Sequence, residues 1–168
     1  QKFWVLTDTH FDDLYKVGTY SHCRAIDCCH GDSVPKKGQE GKRSGVCGDY
    51  NCYSPLNVSE SAFDYIYAHR DQSKTVFWLM DSVPGDVVVQ SKKGNINRIQ
   101  LQTESLKSRL PGFRVFPIPG NHDYYLSSNW EYPPKNQWML DLLGDLWKDW
   151  LTPDALAQFK KGDRKSVV

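Results

Sequence analysis

Residues 116–123 read Phe116-Pro117-Ile118-Pro119-Gly120-Asn121-His122-Asp123, and the prediction of the fold starts from this stretch. The mainly apolar residues 113–116 are typical of a buried strand, which the prolines and the glycine end in a tight turn. The turn presents Asn121, whose amide oxygen can coordinate a hard cation, beside His122, whose imidazole can exchange protons near neutral pH. Taken alone, the tripeptide Gly120-Asn121-His122 is equally consistent with an Asx-type turn that carries an incidental histidine.

Two earlier segments have the same arrangement, in which an apolar strand ends at an acidic residue. Residues 3–6 are apolar and lead to Asp8 and His10, which are two positions apart. Residues 74–80 form a second apolar segment, which leads to Asp81. The chain therefore has three strand ends that carry carboxylate, imidazole or amide groups.

Helical patterns separate and follow these strands. One helix is expected to begin near Asn57, whose side chain can act as the cap while Glu60 completes a capping box. Apolar residues spaced by three and four predict a second helix over residues 96–110. Two further helical patterns cover residues 138–150 and 152–162.

The alternation of strands and helices predicts an α/β fold of βαβ units, with a mainly parallel sheet and helices on both faces. In such sheets, ligands bind at the carboxyl ends of the strands. We therefore expect Asp8, His10, Asp81, Asn121 and His122 to meet at one edge of the sheet. A purely structural interpretation, in which these residues only cap and turn the chain, remains as the alternative.

Length and composition limit the classes of function. The 168 residues fit one domain, which we predict to span residues 1–162 and to be followed by a frayed tail over residues 163–168. Twenty-one Lys and Arg residues nearly balance 20 Asp and Glu residues, so the net charge of +1 does not favour capture of a nucleic-acid polymer or of an anionic membrane. No apolar segment is long enough to cross a bilayer.

A group of tryptophans after the turn leaves two interpretations open. Residues 130–150 contain four tryptophans, Trp130, Trp138, Trp147 and Trp150. They are consistent with peripheral contact to a membrane, but packing in the core or between helices is the favoured interpretation.

Five cysteines lie close together within a Gly-rich and Ser-rich loop at residues 16–55: Cys23, Cys28, Cys29, Cys47 and Cys52. No Cys-x-x-Cys pair occurs, so a disulfide-stapled loop is favoured over a metal knuckle, and disulfides indicate an oxidising compartment. The odd count leaves at least one thiol free or paired outside the chain. Asn57-Val58-Ser59 is an N-glycosylation sequon.

The strand-end residues are those that a dinuclear metal site needs, with one carboxylate that bridges two cations. Asp8 and His10 would hold the first cation, Asp81 would bridge, and Asn121 would hold the second. Two such cations activate a water for in-line attack on phosphorus. His122, which follows a ligand, would protonate the leaving oxygen.

Three blocks of the sequence resemble the Asp-x-His, Gly-Asp and Gly-Asn-His motifs of the calcineurin-like metallophosphoesterases. They are Thr7-Asp8-Thr9-His10-Phe11-Asp12, Met80-Asp81 and Gly120-Asn121-His122-Asp123. Within that superfamily the chain is similar to the acid sphingomyelinase and acid sphingomyelinase-like phosphodiesterase group. This second similarity lies in the cysteine pattern, in Asp81-Ser82-Val83-Pro84 and in residues 146–162.

The resemblance implies a secreted or lysosomal glycoprotein that hydrolyses phosphodiester or pyrophosphate bonds of sphingomyelin-type lipids or nucleotides with two zinc ions. It also implies two disulfides, which join Cys23 to Cys28 and Cys29 to Cys52 and leave Cys47 unpaired. The identity of the substrate and the oligomeric state do not follow from these residues.

The chain departs from the family pattern at three points. Met80 stands where the family has a glycine, Gly85 stands where it has a second catalytic histidine, and no histidine follows His122, although the family takes further ligands from its carboxyl-terminal half. By this resemblance, residues 1–162 are expected to form a partial metallophosphoesterase domain that is incomplete at the carboxyl end. Three other histidines are expected to have surface or helix-capping roles: His22, His30 and His69. We therefore expect zinc to bind weakly or incompletely. The alternative function is that of a truncated, catalytically impaired family member that acts as a secreted binding module.

Overall fold

A computed structural model describes residues 2–23, 28–35, 37–85 and 90–162, so the predicted tail at residues 163–168 lies outside the described residues. Three strands and four helices follow one another in these residues. Their order is β1 (Trp4–Leu6), α1 (Leu56–Ala68), β2 (Thr75–Trp78), α2 (Lys92–Arg109), β3 (Arg114–Pro117), α3 (Gln137–Trp147) and α4 (Pro153–Lys160). The predicted α/β fold is confirmed.

The three strands form one parallel sheet in the order β1-β2-β3. Val5 of β1 is in register with Phe77 of β2, which is in register with Phe116 of β3. Helix α1 connects β1 to β2, and α2 connects β2 to β3, so both crossovers are the predicted βαβ units. Since all strands run in the same direction, their carboxyl ends lie at the same edge of the sheet.

One face of the sheet is buried in the hydrophobic core. Val76, Trp78 and Val115 point to this face and are inaccessible to solvent. Side chains from three helices join them there, namely Phe63, Ile66, Ile99, Leu106, Leu143 and Trp147. The four tryptophans after the turn also lie in this core or pack against it, which confirms their interpretation as packing residues.

The opposite face of the sheet is apolar and accessible. Phe3 and Val5 are 56% and 53% exposed, Leu79 and Ile118 are also exposed, and Phe77 and Phe116 are partly buried. The described helices therefore cover one face, whereas helices on both faces were expected. The sequence does not separate the two cases, because the strands carry apolar residues at both odd and even positions. None of the described helices is long and apolar enough to cross a membrane.

The starts of the helices follow local hydrogen bonding. Helix α1 begins one residue before Asn57, with Pro55 at the N-cap position and no side-chain cap, so the predicted capping box is wrong. The side-chain nitrogen of Asn57, Nδ2, donates instead to the carbonyl of Val46. Glu60, the other residue of the predicted box, forms a salt bridge with Arg109 of α2 at 2.8 Å. At α4 the expected cap is present, because Thr152 Oγ1 accepts a hydrogen bond from a backbone N–H in the first turn.

The cysteine-rich loop is tied to itself and to the chain just before α1. Disulfides join Cys23 to Cys28 and Cys29 to Cys52, while Cys47 has a free and exposed thiol. Backbone hydrogen bonds add to this, such as that from Ser21 N–H to the Lys42 carbonyl at 3.0 Å. The disulfides and hydrogen bonds thereby hold together the described residues of this loop, among which no helix or strand occurs.

Candidate metal centre

Backbone hydrogen bonds hold the turn after β1 against the turn after β2. Asp8 N–H donates to the Met80 carbonyl at 2.9 Å, and His10 N–H donates to the Asp81 carbonyl at 3.1 Å. These bonds continue the parallel pairing of the strands beyond their ends. Consequently, the first two acidic strand ends lie side by side, as the topology rule predicts.

The side chains of Asp8, His10 and Asp81 converge at this point. One ligand atom from each residue lies within 4.8 Å of the others, and His10 Nε2 is 3.6 Å from Asp8 Oδ1 and 3.7 Å from Asp81 Oδ2. In the described part of the chain, no Lys or Arg forms a salt bridge with either carboxylate. Two adjacent carboxylates and an imidazole without a compensating cation fit a divalent metal ion.

The ring of His10 is oriented for ligation. His10 Nδ1 lies 2.9 Å from the carbonyl oxygen of Val83. Because a carbonyl can only accept a hydrogen bond, Nδ1 carries the proton in the neutral ring, and the lone pair is on Nε2. Nε2 is the atom that faces the two carboxylates, so the carbonyl fixes the tautomer that a metal requires.

The backbone at these strand ends is strained. Asp8, His10, Met80 and Asp81 have φ angles of 52°, 42°, 44° and 51°, in the left-handed region that non-glycine residues rarely adopt. Such residues persist only where the surrounding structure holds them, and they are concentrated at functional sites. Glycine adopts the conformation of Met80 without this strain.

The third strand end contacts the second through Asp81. His122 N–H donates to Asp81 Oδ1 at 2.7 Å. Next to it, Asn121 donates through its amide nitrogen to Ser128 Oγ at 3.2 Å. That bond leaves the amide oxygen of Asn121 without a hydrogen bond among the described residues, so it is available to a cation.

His122 lies beside His10 and is held from a different loop. The ring centroids of His10 and His122 are 5.3 Å apart, with the rings edge to face. His122 Nδ1 is 2.6 Å from Ser127 Oγ. A Cβ atom built on Gly85 would lie 3.1 Å from His122 Cε1, so Gly85 borders the same ring. The structure thus brings the predicted acid next to two of the predicted ligands.

Asp123 is a site residue that the sequence interpretation missed. It is fully buried, and its carboxylate accepts hydrogen bonds from the backbone N–H groups of Asp81, Ser82 and Gly120 at 3.1, 2.8 and 2.8 Å. Burial raises the pKa of Asp123, the backbone donors lower it and the nearby charge of Asp81 raises it, with a net result of about 7. Asp123 therefore fixes the Asp81 turn to the Gly120 turn. The only sequence signal for it was its place directly after the Gly-Asn-His block.

The other three histidines lie outside the cluster. His30 Nε2 bonds to Asp12 Oδ2 at 2.6 Å, while Ser21 Oγ lies 3.2 Å from His22 Nδ1. His69 Nδ1 is 2.8 Å from a backbone carbonyl one turn earlier, at the C-cap of α1. His22 is exposed and His69 caps α1, as expected, whereas His30 is mostly buried beside Asp12, so the surface or capping role expected for it is wrong.

Comparisons with known proteins agree with this geometry. Cyclic GMP-AMP phosphodiesterase SMPDL3A of Homo sapiens is 32% identical over 162 residues, which are 96% of this chain and 34% of that protein. Sphingomyelin phosphodiesterase B of Dictyostelium discoideum is 30% identical over 155 residues, 91% of this chain and 24% of that protein. Acid sphingomyelinase-like phosphodiesterase 3b of Homo sapiens is 29% identical over 167 residues, 96% of this chain and 33% of that protein.

This chain thus spans about a third or less of the length of these relatives. The sequence profile of the calcineurin-like phosphoesterases matches residues 1–167. The chain belongs to the calcineurin-like phosphoesterase family.

Proposed function

We propose that this chain is part or all of a secreted, zinc-dependent phosphodiesterase of the sphingomyelinase-like type. Its substrates would be phosphodiester or pyrophosphate bonds of lipids or nucleotides. The observation that carries the proposal is the meeting of Asp8, His10 and Asp81 beside His122 at one edge of the sheet. Relatives named as phosphodiesterases of cyclic GMP-AMP and of sphingomyelin support the class of reaction.

Four residues would hold the metal. Asp8 and His10 would bind the first zinc ion, Asp81 would lie between the two ions, and Asn121 would bind the second. An imidazole ligand beside carboxylates suits zinc better than magnesium, which takes oxygen ligands. When bound, zinc supplies positive charge that polarises the phosphate and lowers the pKa of a bound water.

His122 would act as the general acid that protonates the leaving oxygen. Its Nδ1 is already bonded to Ser127 Oγ, so Nε2 is the nitrogen that can donate to a substrate. The bond from its own N–H to Asp81 Oδ1 keeps the residue at the ligand that the two metals would share. A mobile histidine would not hold a proton at a fixed distance from the scissile bond.

The cysteine-rich loop supports secretion. Two disulfides within about 30 residues are typical of proteins that fold in an oxidising compartment. Asn57 of the sequon is exposed in the first turn of α1, where a glycan can extend into solvent.

Hydrolysis of bis(p-nitrophenyl) phosphate with added zinc tests the proposal. We expect activity that a chelator abolishes, and a loss of about 100-fold or more in Asp81→Asn and in His122→Ala. His69→Ala removes a partly buried histidine outside the site and serves as the control. Activity that survives Asp81→Asn would contradict the site assignment. Zinc binding without hydrolysis would favour the binding-module alternative instead.

A further inference from the structure

We propose that Gln102 is a positioning residue for the metal ligands, because it holds the Asp8-Thr9-His10 turn from helix α2. This inference rests on the proposed metal site. Gln102 lies 92 or more positions away from the turn in the sequence, and it contacts the turn through Thr9, the residue between two of the ligands. Its role is therefore to fix the backbone that carries two ligands.

Gln102 is the centre of a buried chain of hydrogen bonds. Thr9 Oγ1 donates to Gln102 Oε1 at 2.9 Å, and Gln102 Nε2 donates to Ser59 Oγ at 3.1 Å. Gln102 is inaccessible to solvent, and Ser59 is buried as well. The turn after β1 is in this way tied to both α2 and α1.

A glutamine in this position has a cost that packing alone does not explain. Gln102 lies on the buried face of α2, between Ile99 and Leu106, where an apolar residue of similar size would avoid the desolvation of an amide. Both ends of this amide are satisfied, and one partner is the residue between two ligands. By contrast, the side-chain amide of Asn95 on the same helix is buried and has no hydrogen-bond partner among the described residues.

The backbone of the turn at residues 8–10 is strained and therefore has to be held in place by neighbouring residues. Asp8 and His10, on either side of Thr9, both have positive φ angles, a conformation that must be enforced by neighbouring structure. The hydrogen bond from Thr9 to the fully buried side chain of Gln102 is one such constraint. Without it, the turn can relax and move the Asp8 carboxylate and the His10 ring away from Asp81.

Zinc affinity of the variants Gln102→Leu and Thr9→Val tests the inference, measured by competition with a chromophoric chelator. Loss of residues that orient ligands commonly lowers metal affinity by 10- to 100-fold. We expect each variant to bind zinc at least about tenfold more weakly, and the double variant to lose little more than either single one, because both remove the same bond.

Thr103→Val is the matched control. Thr103 is the next residue of α2 and is equally buried, but its hydroxyl bonds to the carbonyl of Ile99 within the helix at 2.7 Å. The substitution Thr103→Val removes a buried hydroxyl that does not contact the turn. We therefore expect the zinc affinity of this variant to stay within about twofold of the wild type.

Hydrogen exchange of the Asp8 and His10 amides in the metal-free protein gives a second readout. We expect faster exchange in Gln102→Leu and in Thr9→Val, and no change in Thr103→Val. If wild type holds no zinc, the proposed function fails while the exchange data still decide the role of Gln102. Unchanged affinity and unchanged exchange in folded Gln102→Leu and Thr9→Val would overturn the inference. Additive losses in the double variant would also overturn it.

Discussion

Gly120 lies directly against Asp81. A Cβ atom built on Gly120 would be 2.5 Å from Asp81 Oδ1 and 2.6 Å from both Asp81 Cα and Asp81 Cβ. Real Cβ atoms essentially never lie so close to another heavy atom. One of the three atoms is the backbone Cα of Asp81, which cannot move aside as the end of a flexible side chain can. The third strand end can therefore approach the central carboxylate only if residue 120 has no side chain.

Gly120→Ala should consequently disturb both the fold and the site. We expect a loss of about 1–3 kcal/mol in the free energy of unfolding, as for other overpacked positions. Zinc affinity should also fall, because Asp81 has to move away from Asp8 and His10. Urea denaturation and chelator competition measure the two effects.

Gly41→Ala provides the control for that experiment. A Cβ at Gly41 would meet no atom within 4 Å, and its φ angle is not in the left-handed region. The alanine should leave zinc affinity unchanged and keep or slightly raise stability, by up to about 1 kcal/mol. Equal effects of the two substitutions would show that contact with Asp81 is not the cause.

Asp123→Asn should change how the stability of the metal-free protein depends on pH. The pKa of Asp123 is raised to about 7 from 3.8 in the folded state, mainly by burial. The folded state therefore binds this proton more tightly than the unfolded state, and the contribution of the group to stability falls as the pH rises from about 4 to about 7. In the variant this fall is absent. Urea denaturation with a chelator should show a wild-type advantage that is larger near pH 5 than near pH 8.

Asp71→Asn removes an exposed carboxylate and serves as the control for this pH series. Its free energy of unfolding should stay within about 0.5 kcal/mol of the wild type. An Asp123→Asn advantage or deficit that is the same at every pH would mean that the proton on Asp123 does not contribute to stability in this range.

The residues that meet at the sheet edge were predictable because one rule of topology suffices. Asp8, Asp81 and Asn121 each follow an apolar strand, and parallel strands bring their carboxyl ends together whatever the details of the loops. No knowledge of distances was needed. The disulfide pairing, in contrast, followed from the resemblance to a family and not from the spacing of the cysteines.

The roles of Asp123 and Gln102 could not be predicted, since their partners are distant in sequence. The carboxylate of Asp123 accepts hydrogen bonds from the backbone N–H groups of Asp81 and Ser82, which are 42 and 41 positions away. A carboxylate after a tight turn is usually solvated, and a glutamine within a helix is usually on its surface, so local patterns favoured the wrong environment. The prediction of an N-cap at Asn57 was wrong for a similar reason, because the side chain of Asn57 bonds to Val46 in the cysteine-rich loop.

At position 80, a glycine variant should be more stable than an alanine variant, which is the reverse of their usual order of stability. Met80 is fully buried, so loss of its side chain should cost about 2–5 kcal/mol in either variant. Its φ of 44° penalises alanine but not glycine, by about 1–2 kcal/mol. We therefore expect Met80→Gly to be the more stable of the two, although both are less stable than the wild type. Denaturant unfolding compares them, and greater stability of the alanine variant would contradict the proposed strain.

Val5→Lys should reduce self-association through the exposed face of the sheet. Phe3, Val5, Phe77 and their neighbours form an apolar surface of the kind that promotes association. We expect the weight-average mass of the wild type to rise with concentration in sedimentation experiments, and that of Val5→Lys to rise less, because a charge in this face would be desolvated on contact. Val17→Lys is the matched control, since Val17 is 55% exposed, Val5 is 53% exposed, and Val17 lies in the cysteine-rich loop. If both lysine variants associate as the wild type does, the contact lies elsewhere.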